Sequence, residues 1–149
     1  MALPEPIGVL SQIAPEETPL LSTISLIAPA IAMGNRVVLV PSERFASIAL
    51  ELVQVFETSD VPGGVINIVS GNKRELADQL AGHAEVDAMW CWANQETVAS
   101  IETISATDLK RLWVHHDGDR NWLDPEQGES SEFLRNATEI KNIWTPYGD

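Results

Sequence analysis

The stretch Gly34-Asn-Arg-Val-Val-Leu-Val-Pro-Ser-Glu43 decides the fold class. At its centre, residues 37–40 form a largely β-branched run with no polar position. A strand that is apolar on both faces is typical of a parallel sheet covered on each side, because neither face can be left in water. Ser42 follows at once with a side chain preferred at helix starts, so the stretch predicts a strand and then a helix.

The same unit recurs along the chain. Four further apolar runs predict strands at residues 7–14, 65–69, 86–92 and 109–115. Helices are predicted from Thr18 and Pro19 to Gly34, from Ser42 to residue 57, from residue 72 with Leu76 and Leu80 inward, and over 94–104. Such alternation implies βαβ crossovers, so the predicted class is α/β: a Rossmann-like, doubly wound, mostly parallel sheet of about five strands with a C-terminal helix.

The composition changes after His116. Residues 117–131 are acidic and have the composition of turns, and residues 133–143 place apolar side chains at helical spacing. Pro146 and Gly148 are expected to end that helix. The sequence therefore predicts a sheet domain over residues 1–116, followed by an acidic linker and a C-terminal docking helix over 117–149.

Charge and composition exclude several functional classes. Lys and Arg number 9 against 22 Asp and Glu, and a net charge of −13 repels nucleic-acid phosphates. The single cysteine cannot form an intramolecular disulfide, and the N-terminus lacks the basic and apolar regions of a signal peptide. The apolar stretch 19–33 is shorter than the about 20 residues of a membrane span. We therefore expect a cytoplasmic protein with no nucleic-acid and no membrane partner.

Several motifs, in a fixed order, resemble the aldehyde dehydrogenase superfamily over residues 4–115. They are Glu5-Pro-Ile-Gly-Val9, Ala14-Pro-Glu-Glu-Thr-Pro19, Ala28-Pro-Ala-Ile-Ala32, the opening stretch from Gly34 to Glu43, Leu50-Glu-Leu52, Pro62-Gly-Gly-Val-Ile-Asn-Ile-Val-Ser-Gly71 and Val86-Asp87. The tail Glu132-Phe-Leu-Arg-Asn-Ala-Thr-Glu-Ile-Lys-Asn-Ile-Trp-Thr-Pro-Tyr-Gly148 resembles the C-terminus of the subfamily with a second, shortened dehydrogenase module.

The resemblance implies an aldehyde-dehydrogenase-like dinucleotide-binding domain over residues 1–116, with NAD or NADP as cofactor. In the family, a cysteine thiolate attacks the aldehyde, and an asparagine with a backbone amide holds the oxyanion. Hydride then passes to the nicotinamide, and a glutamate activates water.

The resemblance also implies four cofactor-binding candidates: Pro15, Ser42, Glu43 and Gly71. Glu43 could accept a hydrogen bond from a ribose hydroxyl. Alternatively, Ser42 and Glu43 form an ordinary helix start, with a cap and a charge that the helix dipole favours.

Other positions depart from the family pattern around the cofactor. Val40 stands where a lysine holds the adenosine ribose, and it offers no donor. Trp92 and Ala93 replace residues of a Phe-Thr-Gly-Ser motif whose backbone passes the pyrophosphate, so we expect them to crowd it. Lys73 and Arg74 could meet a phosphate or could form a solvated helix surface.

The catalytic residues are not retained at the matching positions. Glu17 replaces the oxyanion asparagine and would repel a developing alkoxide. His115-His-Asp-Gly118 falls where the base glutamate is expected, and a histidine there could accept a proton or be a surface residue. Cys91 precedes that stretch, inside a predicted strand, so we expect an inert core thiol. The sequence predicts no catalytic residue and no metal site.

Two functional hypotheses follow from these residues. The first is a non-catalytic module, a pseudoenzyme that serves oligomerisation or binds a partner, either a second copy or the catalytic module of its parent protein. The alternative is a fragment of an NAD(P)-dependent aldehyde dehydrogenase that still binds cofactor. The family's cysteine-bearing lobe does not fit between His116 and Glu132, so the sequence fits an excised module or a naturally short protein.

Overall fold

The computed structural model describes residues 1–146 as a five-stranded sheet with helices on both faces and a separate two-stranded ribbon. The strands are β1 (Ala2–Pro6), β2 (Val9–Ile13), β3 (Arg36–Val40), β4 (Ile66–Ile68), β5 (Ala88–Ala93), β6 (Arg111–His116) and β7 (Thr138–Asn142). The helices are α1 (Pro19–Ala32), α2 (Ala46–Thr58), α3 (Lys73–Ala81), α4 (Gln95–Ser105), α5 (Pro125–Gly128) and α6 (Glu132–Asn136).

The large sheet has the order β4-β3-β2-β5-β6, and all neighbouring strands are parallel. The chain proceeds from central β2 outward through β3 to β4, and then crosses to β5 and β6 on the other side. This reversal beside β2 is the topology of a doubly wound sheet. The predicted fold class is therefore confirmed.

Two hydrophobic cores cover the two faces of the sheet. One core joins Leu10 and Val37 of the sheet to Leu26 of α1, and it includes every buried aromatic residue of the described range. The other joins Ile13 of the sheet to Ala77 of α3 and Ile101 of α4. Since side chains alternate along a strand, Leu10 and Ile13 reach opposite faces of β2. The unbroken apolar runs of the sequence arise from this double coverage.

α3 and α4 begin where the sequence predicts, whereas the predicted caps Thr18 and Ser42 do not cap α1 and α2 with their side chains. Asn72 and Asn94 cap α3 and α4 by accepting hydrogen bonds from the Glu75 and Thr97 amides, at 3.0 and 2.9 Å. α1 begins at Pro19 as predicted, but Thr18 has a positive φ of 44° and makes no side-chain capping bond. α2 begins at Ala46 rather than directly after Ser42.

The predicted C-terminal helix over residues 133–143 is wrong in its second half. The helix ends at Asn136, and Thr138–Asn142 forms a strand antiparallel to β1. Asn35 explains the break, because its side-chain amide donates to the Ala137 carbonyl at 2.8 Å, which a longer helix would use internally. Gly148, expected beyond the helix end, lies outside the described residues.

The segment between β6 and β7 lies on the sheet rather than extending from it. Trp122 and Phe133 are buried in the same core as Trp90 and Trp92 of β5. This aromatic cluster covers the β5–β6 half of the face whose other half carries α1 and α2. The division of the chain at His116 stays a prediction.

Candidate functional site

A crevice opens at the carboxyl ends of the parallel strands, beside β2, where the strand order reverses. Ligands of doubly wound sheets bind at this place, because the loops that leave neighbouring strands in opposite directions leave a gap there. The crevice has a volume of about 520 Å³, which is within the range of small-molecule sites. Its lining residues are Glu16, Glu43, Arg44, Asn72, Lys73, Arg74, Ala93, Asn94, Thr97 and Asp117.

Two helices begin at the wall of this crevice. α3 starts after Asn72 and α4 starts after Asn94, and both capping residues line the cavity. The first amides of a helix carry a partial positive charge and favour anions such as phosphate. Lys73 and Arg74, in the first turn of α3, add two side-chain cations.

The part of the crevice next to Glu16, which we call the crevice head, contains a hydrogen-bond network centred on the Glu16 carboxylate. Ser42 donates its hydroxyl to the Glu16 carboxylate at 2.6 Å, and the Glu43 and Arg44 amides donate to it at 3.1 and 3.2 Å. The Lys73 ammonium forms an ion pair with the same carboxylate and donates to the Ala14 carbonyl at 2.8 Å.

This network changes the acidity of Glu16. Partial burial disfavours the charged carboxylate, but the hydrogen bonds from Lys73, Ser42 and the Glu43 and Arg44 amides outweigh it and lower the pKa of Glu16 to about 2. The group is therefore an anion over the whole physiological pH range.

Glu43 joins two elements at the crevice. Its carboxylate accepts a hydrogen bond from the Lys73 amide at 3.0 Å, at the start of α3. The residue thus uses one of the free amides of a helix N-terminus. A ligand that bonded to Glu43 would compete with this contact or share it through the second carboxylate oxygen.

The four cofactor-binding candidates lie at this edge of the sheet but have different positions. Glu43 lines the crevice. Ser42 is buried directly behind Glu16, at hydrogen-bond distance. Pro15 and Gly71 do not line the crevice, and each immediately precedes a residue that does. A cofactor-binding role for these four residues stays a prediction.

The sequence did not identify Glu16 or Asn94 as site residues, and it left the role of Lys73 open. Their signal was positional: Glu16 follows the end of β2, and Asn94 and Lys73 lie at the starts of helices that follow strands. In a parallel sheet, all such positions meet at one edge. Glu16 lies inside the motif Ala14-Pro-Glu-Glu-Thr-Pro19, but the motif does not indicate its contacts, and the composition marks none of the three residues.

The structure shows where two residues that depart from the family pattern, Val40 and Trp92, lie relative to the crevice. Val40 is buried in the core, and Lys73 of α3 supplies a cation to the crevice head instead. Trp92 is expected to crowd a cofactor, but its ring packs at 5.1 to 5.2 Å from the rings of Trp113 and Trp122 on the sheet face. Ala93 does line the crevice.

The residues considered for catalysis lie in structural positions. Cys91 is fully buried, and burial raises the pKa of its thiol to about 12, with Asp117 adding to this and Lys73 opposing it. His115 stacks on Trp92 with ring centroids 5.1 Å apart, and burial and then Arg120 lower its pKa. Neither side chain lines the crevice.

Residues 1–146 contain neither a cluster of metal-ligating side chains nor a membrane-spanning helix. Within residues 1–146, no three His, Cys, Asp or Glu side chains are grouped so that they could hold a metal ion. Over that range, none of the helices has the length and apolar character that crossing a bilayer requires.

Comparison with known proteins covers most of the chain. A sequence model of the aldehyde dehydrogenase family matches residues 1–123. An NADP/NAD-dependent aldehyde dehydrogenase of Escherichia coli is 33% identical over 119 residues, which are 79% of this chain and 24% of that protein. A 2-aminomuconic semialdehyde dehydrogenase of Bos taurus is 36% identical over 144 residues, which are 97% of this chain and 29% of that protein.

Solved structures agree with this match. An aldehyde dehydrogenase C mutant of Pseudomonas syringae, in complex with NAD+ and octanal, superposes with a TM-score of 0.75 at 33% identity, over 80% of this chain and 24% of that one. A betaine aldehyde dehydrogenase mutant of Staphylococcus aureus, in complex with NAD+, gives 0.74 at 32% identity over the same shares. The chain thus spans about a quarter of the length of these relatives. With its sheet order, its sequence motifs and these matches in agreement, the chain belongs to the aldehyde dehydrogenase family.

Proposed function

We propose that this chain is the cofactor-binding portion of an NAD(P)-dependent oxidoreductase that acts on aldehydes. The observation that carries the proposal is the crevice at the carboxyl ends of β2, β3 and β5, with two helix N-termini in its wall. Two structurally similar relatives are described in complex with NAD+, which supports the same ligand class here.

The donors of the crevice fit a phosphorylated ligand. The N-termini of α3 and α4, together with Lys73 and Arg74, would hold the phosphates, and Glu43 would accept a hydrogen bond from a ribose hydroxyl. The cofactor, when bound, accepts a hydride from the substrate. The role of this chain is to bind and orient it.

The chemistry of aldehyde oxidation would need groups beyond those of residues 1–146. A nucleophilic thiol has to be accessible and partly ionised, and the buried Cys91 is neither. The thiolate and the base would therefore be supplied by another part of a longer polypeptide or by another subunit.

Calorimetric titration of the chain with NAD and with NADP tests the proposal. We expect saturable binding at micromolar to millimolar concentrations, weakened by Lys73→Gln because a crevice cation is lost. Lys141→Gln is the matched control, since Lys141 is an exposed lysine of β7 and lies outside the crevice. The proposal would be contradicted if neither the wild-type chain nor the variant Glu16→Ala bound NAD or NADP saturably.

A specific observation favours a second candidate function, assembly. Within residues 1–146, β7 pairs only with β1, so its other edge is unpaired, and such an edge readily pairs with another chain. An apolar groove of about 360 Å³ lies between α1 and α6, beside the exposed Leu21 and Leu134. The partner would be a second copy of the chain or the catalytic module of a longer protein.

Sedimentation equilibrium over a hundredfold range of concentration tests the assembly function. We expect association that Leu21→Glu weakens, with the surface change Glu51→Gln on α2 as a control. A monomer at every concentration that also fails to bind a catalytic module would contradict this function.

A further inference from the structure

Glu16 occupies the donors that an anionic ligand would need. Its carboxylate receives hydrogen bonds from one hydroxyl and two consecutive backbone amides and forms an ion pair with the Lys73 ammonium, whose side chain is largely buried. Phosphate groups are bound in proteins by this combination of backbone amides, a hydroxyl and a cation. The donors are already satisfied from within the chain.

These donors include the segment that the family resemblance assigns to the cofactor. Ser42 was a candidate for cofactor binding, and its hydroxyl hydrogen is committed to Glu16 at 2.6 Å. A hydroxyl has only one hydrogen to donate. A ligand oxygen that took this hydrogen would have to displace the Glu16 carboxylate.

Glu16 also sets the charge of the crevice. The lining contains three basic residues, Arg44, Lys73 and Arg74, and three acidic ones, Glu16, Glu43 and Asp117. Their formal charges cancel, so a phosphate entering the crevice meets no net attraction from the lining side chains. Without the Glu16 carboxylate, the lining would have a net charge of +1, which favours an anion.

The surroundings of the two groups allow the Glu16 carboxylate to move away while the Lys73 ammonium stays in place. Glu16 lies on the loop between β2 and α1, and its side chain is 32% exposed. The Lys73 side chain is 12% exposed and keeps a second anchor on the Ala14 carbonyl at 2.8 Å. If the carboxylate moved away, the Ser42 hydroxyl, the Glu43 and Arg44 amides and the Lys73 ammonium would therefore lose this shared partner and become free to bind another anion.

We propose that Glu16 is an internal competitor for phosphorylated ligands: its carboxylate fills the anion-binding corner formed by Ser42, the Glu43 and Arg44 amides and Lys73, and a ligand phosphate enters that corner only when Glu16 is displaced. This deepens the proposed function, since it describes how access to the same crevice is limited. The anion-binding corner itself does not depend on which cofactor the crevice takes.

Binding of inorganic phosphate to the full chain tests the proposal, followed by calorimetry and by ³¹P NMR. Glu16→Ala should bind phosphate at least about tenfold more tightly than the wild type, because a charge-assisted set of donors becomes free. Glu17→Ala is the matched control, since it removes the same charge from an exposed neighbour that does not line the crevice. Adding Ser42→Ala to Glu16→Ala should abolish most of the gain.

A second variant, Glu16→Gln, keeps the test valid if Glu16→Ala fails to fold. Glu16→Gln keeps the shape and removes the charge, so it should show a smaller gain than Glu16→Ala, and circular dichroism establishes that each variant is folded. Folded variants that bind phosphate no more tightly than the wild type or than Glu17→Ala would overturn the proposal.

Parallel titration with NAD separates this proposal from the proposed function. A gain in phosphate binding without NAD binding to any variant supports the internal competitor and contradicts the cofactor function. Equal NAD affinity of the wild type and Glu16→Ala, without a gain for phosphate, supports the cofactor function and overturns the competitor.

Discussion

The guanidinium carbon of Arg120 lies 4.8 Å from the centroid of the Phe133 ring, with Trp92, Trp113 and Trp122 around the same cation at 5.5 to 5.9 Å. Aromatic faces attract a cation, and more strongly where water is excluded. The Arg120 side chain is only 9% exposed. It therefore links the aromatic rings of the sheet to those of the segment that covers them.

Replacement of Arg120 is expected to destabilise the fold. Its guanidinium also donates to the Gln127 carbonyl at 2.6 Å and to Glu132 at 2.9 Å, so Arg120→Ala should lower the free energy of unfolding by about 2–4 kcal/mol. Arg120→Lys should restore less than half of the lost stability. The compact ammonium of lysine lacks the planar guanidinium group, which donates to two separate partners and packs on the aromatic rings. Urea unfolding measures both, and Arg135→Ala, an exposed site in the same segment, should change stability by less than about 0.5 kcal/mol. Equal losses for Arg120→Ala and Arg135→Ala would refute the role of Arg120.

Asn35 gives a second stability prediction. Its buried amide donates to the Ala30 and Ala137 carbonyls and accepts from the Gly8 amide, all at 2.8 to 3.0 Å. Asn35→Ala should lower the unfolding free energy by about 2 kcal/mol, and Asn35→Asp by more, because a carboxylate oxygen would face two carbonyls.

The control for Asn35 is Asn67, an exposed residue whose side chain also donates to two carbonyls. Asn67→Asp should have a small effect, since water can solvate the new charge. Thermal unfolding of the four proteins under one condition suffices. A milder effect of Asn35→Asp than of Asn35→Ala would contradict the assigned donor role.

Cys91 is expected to be chemically inert in the folded chain. The thiolate is the reactive form, and a buried thiol with a pKa of about 12 supplies almost none of it at pH 8. Iodoacetamide should leave the native protein unmodified by mass spectrometry and add once after denaturation. Modification of the native chain at the rate of a free thiol would show that Cys91 is accessible.

The acidity of Glu16 predicts a pH dependence of stability. The pKa in the folded chain, about 2, is below the ordinary value of 4.5, so the stabilising contribution is present above the ordinary value and is lost as the pH falls toward 2. After a discount for solvent screening, this contribution is about 1–2 kcal/mol.

Urea unfolding of the wild type and of Glu16→Gln measures this contribution. The stability advantage of the wild type should be present at pH 6 and should shrink by most of that amount at pH 3. Glu17→Gln is the matched control, because Glu17 is exposed and lies outside the network. An unchanged advantage of the wild type at pH 3 would show that Glu16 keeps no depressed pKa.

The sheet could be predicted because local patterns determine it. Runs such as residues 37–40 favour a strand covered on both faces, and Asn72 and Asn94 cap helices through contacts three residues away. The C-terminal strand could not be predicted in this way. Its partner, β1, is more than 130 residues away along the chain and contains two prolines, and the bond that ends α6 comes from Asn35.

The candidate site could be predicted only in part for the same reason. Ser42, Glu43 and Glu16 all belong to recognisable motifs, but the contacts of Glu16 with Ser42 and Lys73 join three chain segments that are distant in sequence. A motif assigns a residue a role by its neighbours in sequence. The bond between Ser42 and Glu16, which bears on that role, joins residues 26 positions apart.

The pairing of β1 with β7 brings the first and last described strands into register, with Ala2 opposite Asn142 and the Met1 amine bonded to the Ile143 carbonyl at 2.8 Å. A polypeptide that carries this unit would therefore enter and leave it at a single corner. A connection of a few residues could close the chain into a ring, and new ends could be opened at an exposed turn such as Gly63-Gly64 without breaking the parallel sheet. Insertion of this unit into a larger protein would therefore leave the segments on either side of it close together.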